Sequence, residues 1–85
     1  MELMEEVYTV YVLQSEKDGS FYIGQTRNLT GRLIRHNAGA VTSTKARRPW
    51  IVVWGQTFPD RSEAIRREKE LKKQKSRRFL QDLIK

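Results

Sequence analysis

VYTVYVLQ-SEKDGS-FYIGQ, residues 7–25, is the stretch whose reading decides the fold. Val7 to Gln14 is β-branched and aromatic, which suits a pleated, half-buried strand. Glu16-Lys17-Asp18-Gly19-Ser20 supplies turn chemistry, because glycine tolerates the positive φ of a tight reversal. Phe21 to Gln25 then resumes as a second strand, so the segment reads as an antiparallel hairpin. An even-numbered connection places Tyr11 and Tyr22 on one face together with Thr9. Val10, Val12, Phe21 and Ile23 then form the opposite, apolar face. A cross-strand aromatic pair is also ordinary sheet stabilisation.

Outward from the hairpin, Asn28 is placed to cap a helix running to about Ala38, where Gly39 acts as a left-handed stop. Gly31 in its first turn weakens that helix slightly. Residues 39–49 form a loop of small, hydroxylated and basic residues. Trp50 to Phe58 is a third strand, in which Trp50 and Trp54, four apart, are expected on one face as core. Pro59 ends it, and Asp60 with Glu63 three residues on resembles a capping box. A second helix follows over Arg61–Gln74, and Ser76 caps a last one carrying Phe79, Leu80, Leu83 and Ile84. The order β-β-α-β-α-α predicts an α+β domain: a small three-stranded antiparallel-type sheet flanked by helices. There is no glycine-rich phosphate loop between strand and helix, which disfavours a nucleotide-hydrolase reading.

Composition bounds what such a domain can do. Eighty-five residues make one domain with one modest core, and 38% apolar with 32% charged residues is an ordinary globular mix. Without cysteine there is no disulfide and no thiolate zinc site, and a single histidine excludes a multi-His metal cage. No run is apolar enough to span a membrane, and the acidic start MELMEE does not look like a signal peptide, so the expected compartment is cytoplasmic. The net charge is +7, unevenly spread: residues 1–30 carry 2 basic and 5 acidic groups, residues 31–60 carry 5 and 1, and residues 61–85 carry 10 and 4. A folded body with one positive side favours a polyanion partner, although a solvated lysine-rich helix has the same composition.

Polar residues where apolar ones are expected narrow the chemistry. In the second helix each residue turns about 100°, which puts Glu68 inside the stripe of Ala64, Ile65 and Leu71. A carboxylate there is costly unless paired or bound to a cation, and Lys72 one turn later is one such partner. Arg32 and His36, four apart in the first helix, share a face beside Leu29 and Leu33. An arginine offers a planar fork for phosphate oxygens, and a histidine can pass a proton or simply be satisfied by backbone. Two phenols, a guanidinium, an imidazole and a carboxylate suit phosphodiester hydrolysis with one divalent cation better than acyl transfer. A single carboxylate beside substrate phosphate suits Mg²⁺, which keeps several of its waters.

These residues resemble a GIY-YIG nuclease domain. Tyr22-Ile23-Gly24 is the second half of its motif unaltered, and Thr9-Val10-Tyr11 keeps the tyrosine of the first. Arg32 and His36 stand within NLTGRLIRHN at the family's distances, and Arg61 to Lys72 (RSEAIRREKELK) resembles its metal-binding helix, with Glu68 as the carboxylate. The likeness runs from about Val7 to Lys75, with a C-terminal helix over about 76–84. It is strongest to small stand-alone bacterial GIY-YIG proteins related to the N-terminal nuclease domain of the UvrC excision-repair subunit. It implies a single GIY-YIG domain over 1–85 that hydrolyses DNA. Tyr11 would position or deprotonate the attacking water and Tyr22 orient water or phosphate. Arg32 would stabilise phosphate charge, His36 assist Tyr11, and Glu68 hold one Mg²⁺ or Mn²⁺. A tyrosine acting as base needs positive charge nearby, which Arg32 and the metal would provide.

The chain departs from the family by lacking a further active-site Asn and a separate DNA-binding domain, which points to recognition by DNA shape or through a protein partner. Thr42, Ser43, Thr44, Lys45, Arg47 and Arg48 are then expected to contact the DNA backbone, extended by Lys72, Lys73 and Lys75. The resulting expectation is a monomeric, metal-dependent, structure-selective endonuclease of DNA repair or recombination. A non-catalytic nucleic-acid-binding module on the same fold is the alternative, and a protein-interface role for the last helix is a third.

Overall fold

The computed structural model describes residues 7–74 and 76–85. The opening stretch forms the expected hairpin: β1 (Tyr8–Ser15) and β2 (Phe21–Thr26) pair antiparallel, with Tyr11 opposite Gly24 and Val12 opposite Ile23. Short polar side chains fix its turn. Ser15 Oγ accepts from the N–H groups of Lys17 and Asp18, while Asp18 Oδ1 accepts from the hydroxyl and the N–H of Ser20. Those two Ser20 donors hold the Asp18 carboxyl down at about 2.

β3 (Trp50–Phe58) pairs antiparallel with the other edge of β1, giving the order β2-β1-β3. A central strand is covered on both faces, and β1 reads accordingly as a nearly unbroken apolar run. Val10 and Val12 pack with Ile23, Ala64, Leu71 and Leu80. Tyr11 and Leu13 pack on the opposite side with Trp50, bordered by Tyr22, Leu29 and Leu33. Helix α1 (Leu29–Asn37) therefore covers the tyrosine face, and α2 (Arg61–Lys73) with α3 (Arg77–Leu83) covers the valine face. The alternation expected for the hairpin holds, but the tyrosine side is a second core rather than an open surface.

The helix starts follow the sequence. Asn28 Oδ1 accepts from Gly31 N–H, Asp60 Oδ1 from Ser62 N–H, and Ser76 Oγ from Phe79 N–H. A Cβ on residue 31 would stand 2.7 Å from Asn28 Nδ2, so Gly31 makes room for the cap. Its small propensity cost comes with the N-terminal bond it permits. Gly39, at φ 80°, closes α1 from just beyond Ala38.

One expectation fails. Trp50 and Trp54 lie on opposite faces, Trp50 with the tyrosines and Trp54 against the valine core. The cause is a β-bulge: Val12 pairs with Trp54 but Leu13 with Val52, so Val53 is an extra residue that inverts the alternation along β3. Among the described residues, no helix is long and apolar enough to cross a membrane.

Candidate active site

Tyr11 and Tyr22 stand on neighbouring strands, their ring centroids 6.3 Å apart. The Tyr11 ring lies across Gly24: a Cβ at residue 24 would come within 2.6 Å of Tyr11 Oη and 3.1 Å of Tyr22 Cε1. Gly24 keeps an ordinary φ, so the requirement here is for space rather than for backbone freedom.

His36 enters from the last turn of α1 and is buried, with its ring 4.9 Å from that of Tyr22. Its two nitrogens are both engaged. Thr44 Oγ1 lies 3.3 Å from the Val41 carbonyl, a group that only accepts. The threonine hydroxyl thus donates to Val41, and its oxygen accepts from His36 Nδ1–H at 2.8 Å. That leaves Nε2 with a lone pair for the Tyr11 O–H at 3.2 Å. Asn37, the next residue, fastens this end of α1 to β3. Its Nδ2 donates to the Trp50 carbonyl and its Oδ1 accepts from Trp50 N–H, while Trp50 Nε1 donates to the Thr44 carbonyl.

Electrostatics follow from burial. Burial raises the Tyr11 phenol well above the ordinary tyrosine range, Tyr22 and Glu68 add to the effect, and Arg32 alone opposes it. Arg32 thus acts in the expected direction but does not outweigh burial, and at neutral pH Tyr11 is a protonated hydroxyl. His36 is shifted below its ordinary value of 6.5, first by burial and then by Arg32 and Arg35, so its imidazole is neutral.

Arg32 is exposed on α1 and lines a cavity with Tyr8, Gln25, Thr26, Arg27, Asn28 and Arg61. A second cavity is lined by Ser20, Phe21, Tyr22, Ile23, Lys72, Arg77 and Leu80. The first holds residues from the end of β2 with the start of α2, and the second holds the start of β2 with the end of α2. Helix α2 therefore runs antiparallel to β2 on the valine side of the sheet, and Glu68 falls beside the middle of the strand, where its charge reaches Tyr11. The Glu68 side chain is 17% exposed and its Oε2 receives Lys72 Nζ at 2.7 Å, the helical pairing that the spacing allowed. The carboxylate site already serves a cation. Among the described residues no three acidic, His or Cys groups converge. Glu68 is the residue here that could hold a divalent metal ion, with water and phosphate oxygens completing its shell.

A family model described as the GIY-YIG catalytic domain matches residues 7–81. The chain belongs to the GIY-YIG family. It is 45% identical over 64 residues to a UPF0213 protein of Staphylococcus haemolyticus, covering 74% of this chain and 77% of that one. It is 42% identical over 65 residues to a UPF0213 protein of Desulfotalea psychrophila, covering 74% and 58%. The solution NMR structure of a UPF0213 protein from Bacillus halodurans superposes with a TM-score of 0.57 at 35% identity, over 92% of this chain and 82% of the other.

The GIY-YIG domain thus brings Tyr11, Tyr22 and His36 into contact, with Arg32 and Glu68 near enough to act on Tyr11 through their charges. The loop residues fare differently. Thr44 is 1% exposed and both its hydroxyl and its carbonyl are used inside the protein, so it is a support for His36 and Trp50 rather than a contact for DNA. Arg47 is exposed but pairs with Asp18 at 3.4 Å, and Arg48 Nε donates to the Lys45 carbonyl. Lys45 and Lys72 are exposed, while Lys75 lies outside the described residues. Sequence reasoning missed Arg61 and Arg77, whose cavities only the packing of α2 and α3 against β2 creates. It also missed the Thr44 hydroxyl beneath His36, for which eight residues of separation across a loop give no periodic signal.

Proposed function

We propose that this GIY-YIG domain is a divalent-metal-dependent endonuclease that hydrolyses DNA phosphodiester bonds, selecting its substrate by structure rather than by sequence. The observation that carries the reading is the buried relay Tyr11–His36–Thr44 opening beside Glu68 and Arg32. A binding surface has no use for a neutral imidazole aligned on a phenol.

In this reading His36, held neutral with Nε2 unprotonated, takes the Tyr11 proton as the Tyr11 oxygen takes one from the attacking water. The phenol then never has to exist as a free phenolate, which its burial opposes. Tyr22, packed on both rings, orients the water or the scissile phosphate. Arg32 offsets charge on the phosphate as its bonds rearrange. Glu68 would hold the Mg²⁺ or Mn²⁺ ion, whose positive charge stabilises the departing oxygen. The domain would work as a monomer in DNA repair or recombination, with shape or a protein partner directing it to its substrate.

The test is nicking of branched, single-stranded and duplex DNA with Mg²⁺ or Mn²⁺, by wild type, Glu68→Ala and Arg32→Ala. Cleavage by wild type is expected, with a loss of about 10²-fold or more in each variant and DNA binding retained in Glu68→Ala. The Lys72–Glu68 pair, which satisfies the carboxylate without any metal, is the observation favouring a binding module instead. Salt-sensitive DNA binding with no cleavage of any substrate by wild type would establish that alternative.

A further inference from the structure

The two cavities at the edge of β2 share a pattern that the proposed chemistry does not use. One is lined by residues 20–23 of the chain and the other by residues 25–28, with Gly24 and the Tyr11 hydroxyl between them. β2 is an edge strand paired only with β1, and helix α2 packs against it, with Arg61 and Lys72 lining the two cavities. Each end carries cations from a helix: Lys72 and Arg77 at the start of the strand, Arg32 and Arg61 at its end. The cavities measure about 450 and 520 Å³, which suits a sugar-phosphate unit better than a bare inorganic ion.

Arg77 is held in place for such a role. Its Nη1 donates to the Gly19 carbonyl at 3.2 Å, and its guanidinium stands 5.7 Å over the Phe21 ring. One donor and the planar face are thereby fixed to the hairpin, and other N–H groups of the fork are left for an incoming oxygen. The loop that looked equally suitable in sequence is differently occupied, with Arg47 on Asp18 and Arg48 on Lys45.

From this we infer that the substrate strand lies along the edge of β2, with non-scissile phosphates seated at Arg77 on one side of Tyr11 and at Arg61 on the other. The inference rests on the nuclease reading for the identity of the ligand, a nucleic-acid backbone. It adds two residues, Arg61 and Arg77, and the direction of the strand along the domain. Six residues of β2 span about 17 Å, so the two seats are several phosphates apart and the bond to be cut falls between them.

Binding of a short fluorescein-labelled DNA oligonucleotide, measured by anisotropy over a salt series in EDTA, tests the path. All proteins carry Tyr11→Phe, so that no chemistry intervenes. Arg61→Gln and Arg77→Gln should each weaken binding about tenfold and lower the slope of log K against log salt by about 0.7–0.9. Arg77→Gln keeps a donor for the Gly19 carbonyl, and unchanged thermal midpoints will show both folds intact. Arg77→Lys should restore most of the slope. The loop double variant Arg47→Gln/Arg48→Gln should leave the slope nearly unchanged. Loss confined to the loop variant, or no change in either cleft variant, would overturn the path. The two readings fail separately. A wild type that cuts nothing removes the chemistry but leaves the binding result, whereas cutting with a slope blind to Arg61 and Arg77 removes the path alone.

Discussion

His36 shows how burial makes a common side chain specific. Outside, an imidazole exchanges its proton freely near neutral pH. Here Thr44 Oγ1 accepts a hydrogen bond from His36 Nδ1–H, which leaves the Nε2 lone pair facing Tyr11. Thr44→Val removes that acceptor at nearly constant volume and strands a buried N–H. We expect a stability loss of about 1–3 kcal/mol in urea melts, and a fall in turnover that exceeds the fall in DNA affinity. The pH dependence follows from the lowered pKa of His36. Below about pH 6.5 the unfolded chain takes up a proton that the folded chain refuses, so the histidine's contribution to stability is complete above that value. It is lost as pH falls from 6.5 towards the lower folded value. In urea midpoints of wild type against His36→Gln across this range, the gap should narrow on the acid side. That Tyr11 and Tyr22 share a face and that Glu68 falls inside an apolar stripe was legible in the sequence because those spacings follow strand and helix periods; the roles came only from the family resemblance. Thr44 was misread because a loop has no period: a hydroxyl between basic residues looks like a surface donor until its burial is known.

At the scale of elements, α2 has two duties that compete at one carboxylate. Ala64 and Leu71 anchor the helix in the valine core, and Glu68 between them is neutralised by Lys72. A metal at Glu68 would compete with that ammonium for the same negative charge. Lys72→Met should therefore tighten Mn²⁺ binding without DNA, seen as a loss of the free-ion electron paramagnetic resonance signal at about tenfold lower metal, close to the change expected for one near charge. Unchanged affinity would mean that the pair is incidental to the site. The helix starts were readable because Asn28, Asp60 and Ser76 announce themselves chemically. The bulge at Val53 was not, since WIVVW alternates equally well with or without an extra residue, and only the register against β1 decides.

For the whole molecule, the positive charge read from composition turns out to be divided by packing. Arg47 and Arg48 look the same in sequence as Arg61 and Arg77, but the first pair ties loop to hairpin and loop to itself, while the second pair opens on the cleft beside β2. One-dimensional charge could show that a positive side exists, not where it lies. The sheet order has a similar reach. Since β1 is central, its residues alternate between the valine core and the relay: Val10, Tyr11, Val12, Leu13. Thermal inactivation and the loss of near-ultraviolet circular dichroism should consequently superpose, with no inactive folded species between them; an inactivation curve that leads the spectroscopic one would contradict this. On the proposed endonuclease reading, the tyrosines are part of the packed core and do not move independently of it. Control over cutting would then act from outside the strand, at the rim, through what is allowed into the cleft.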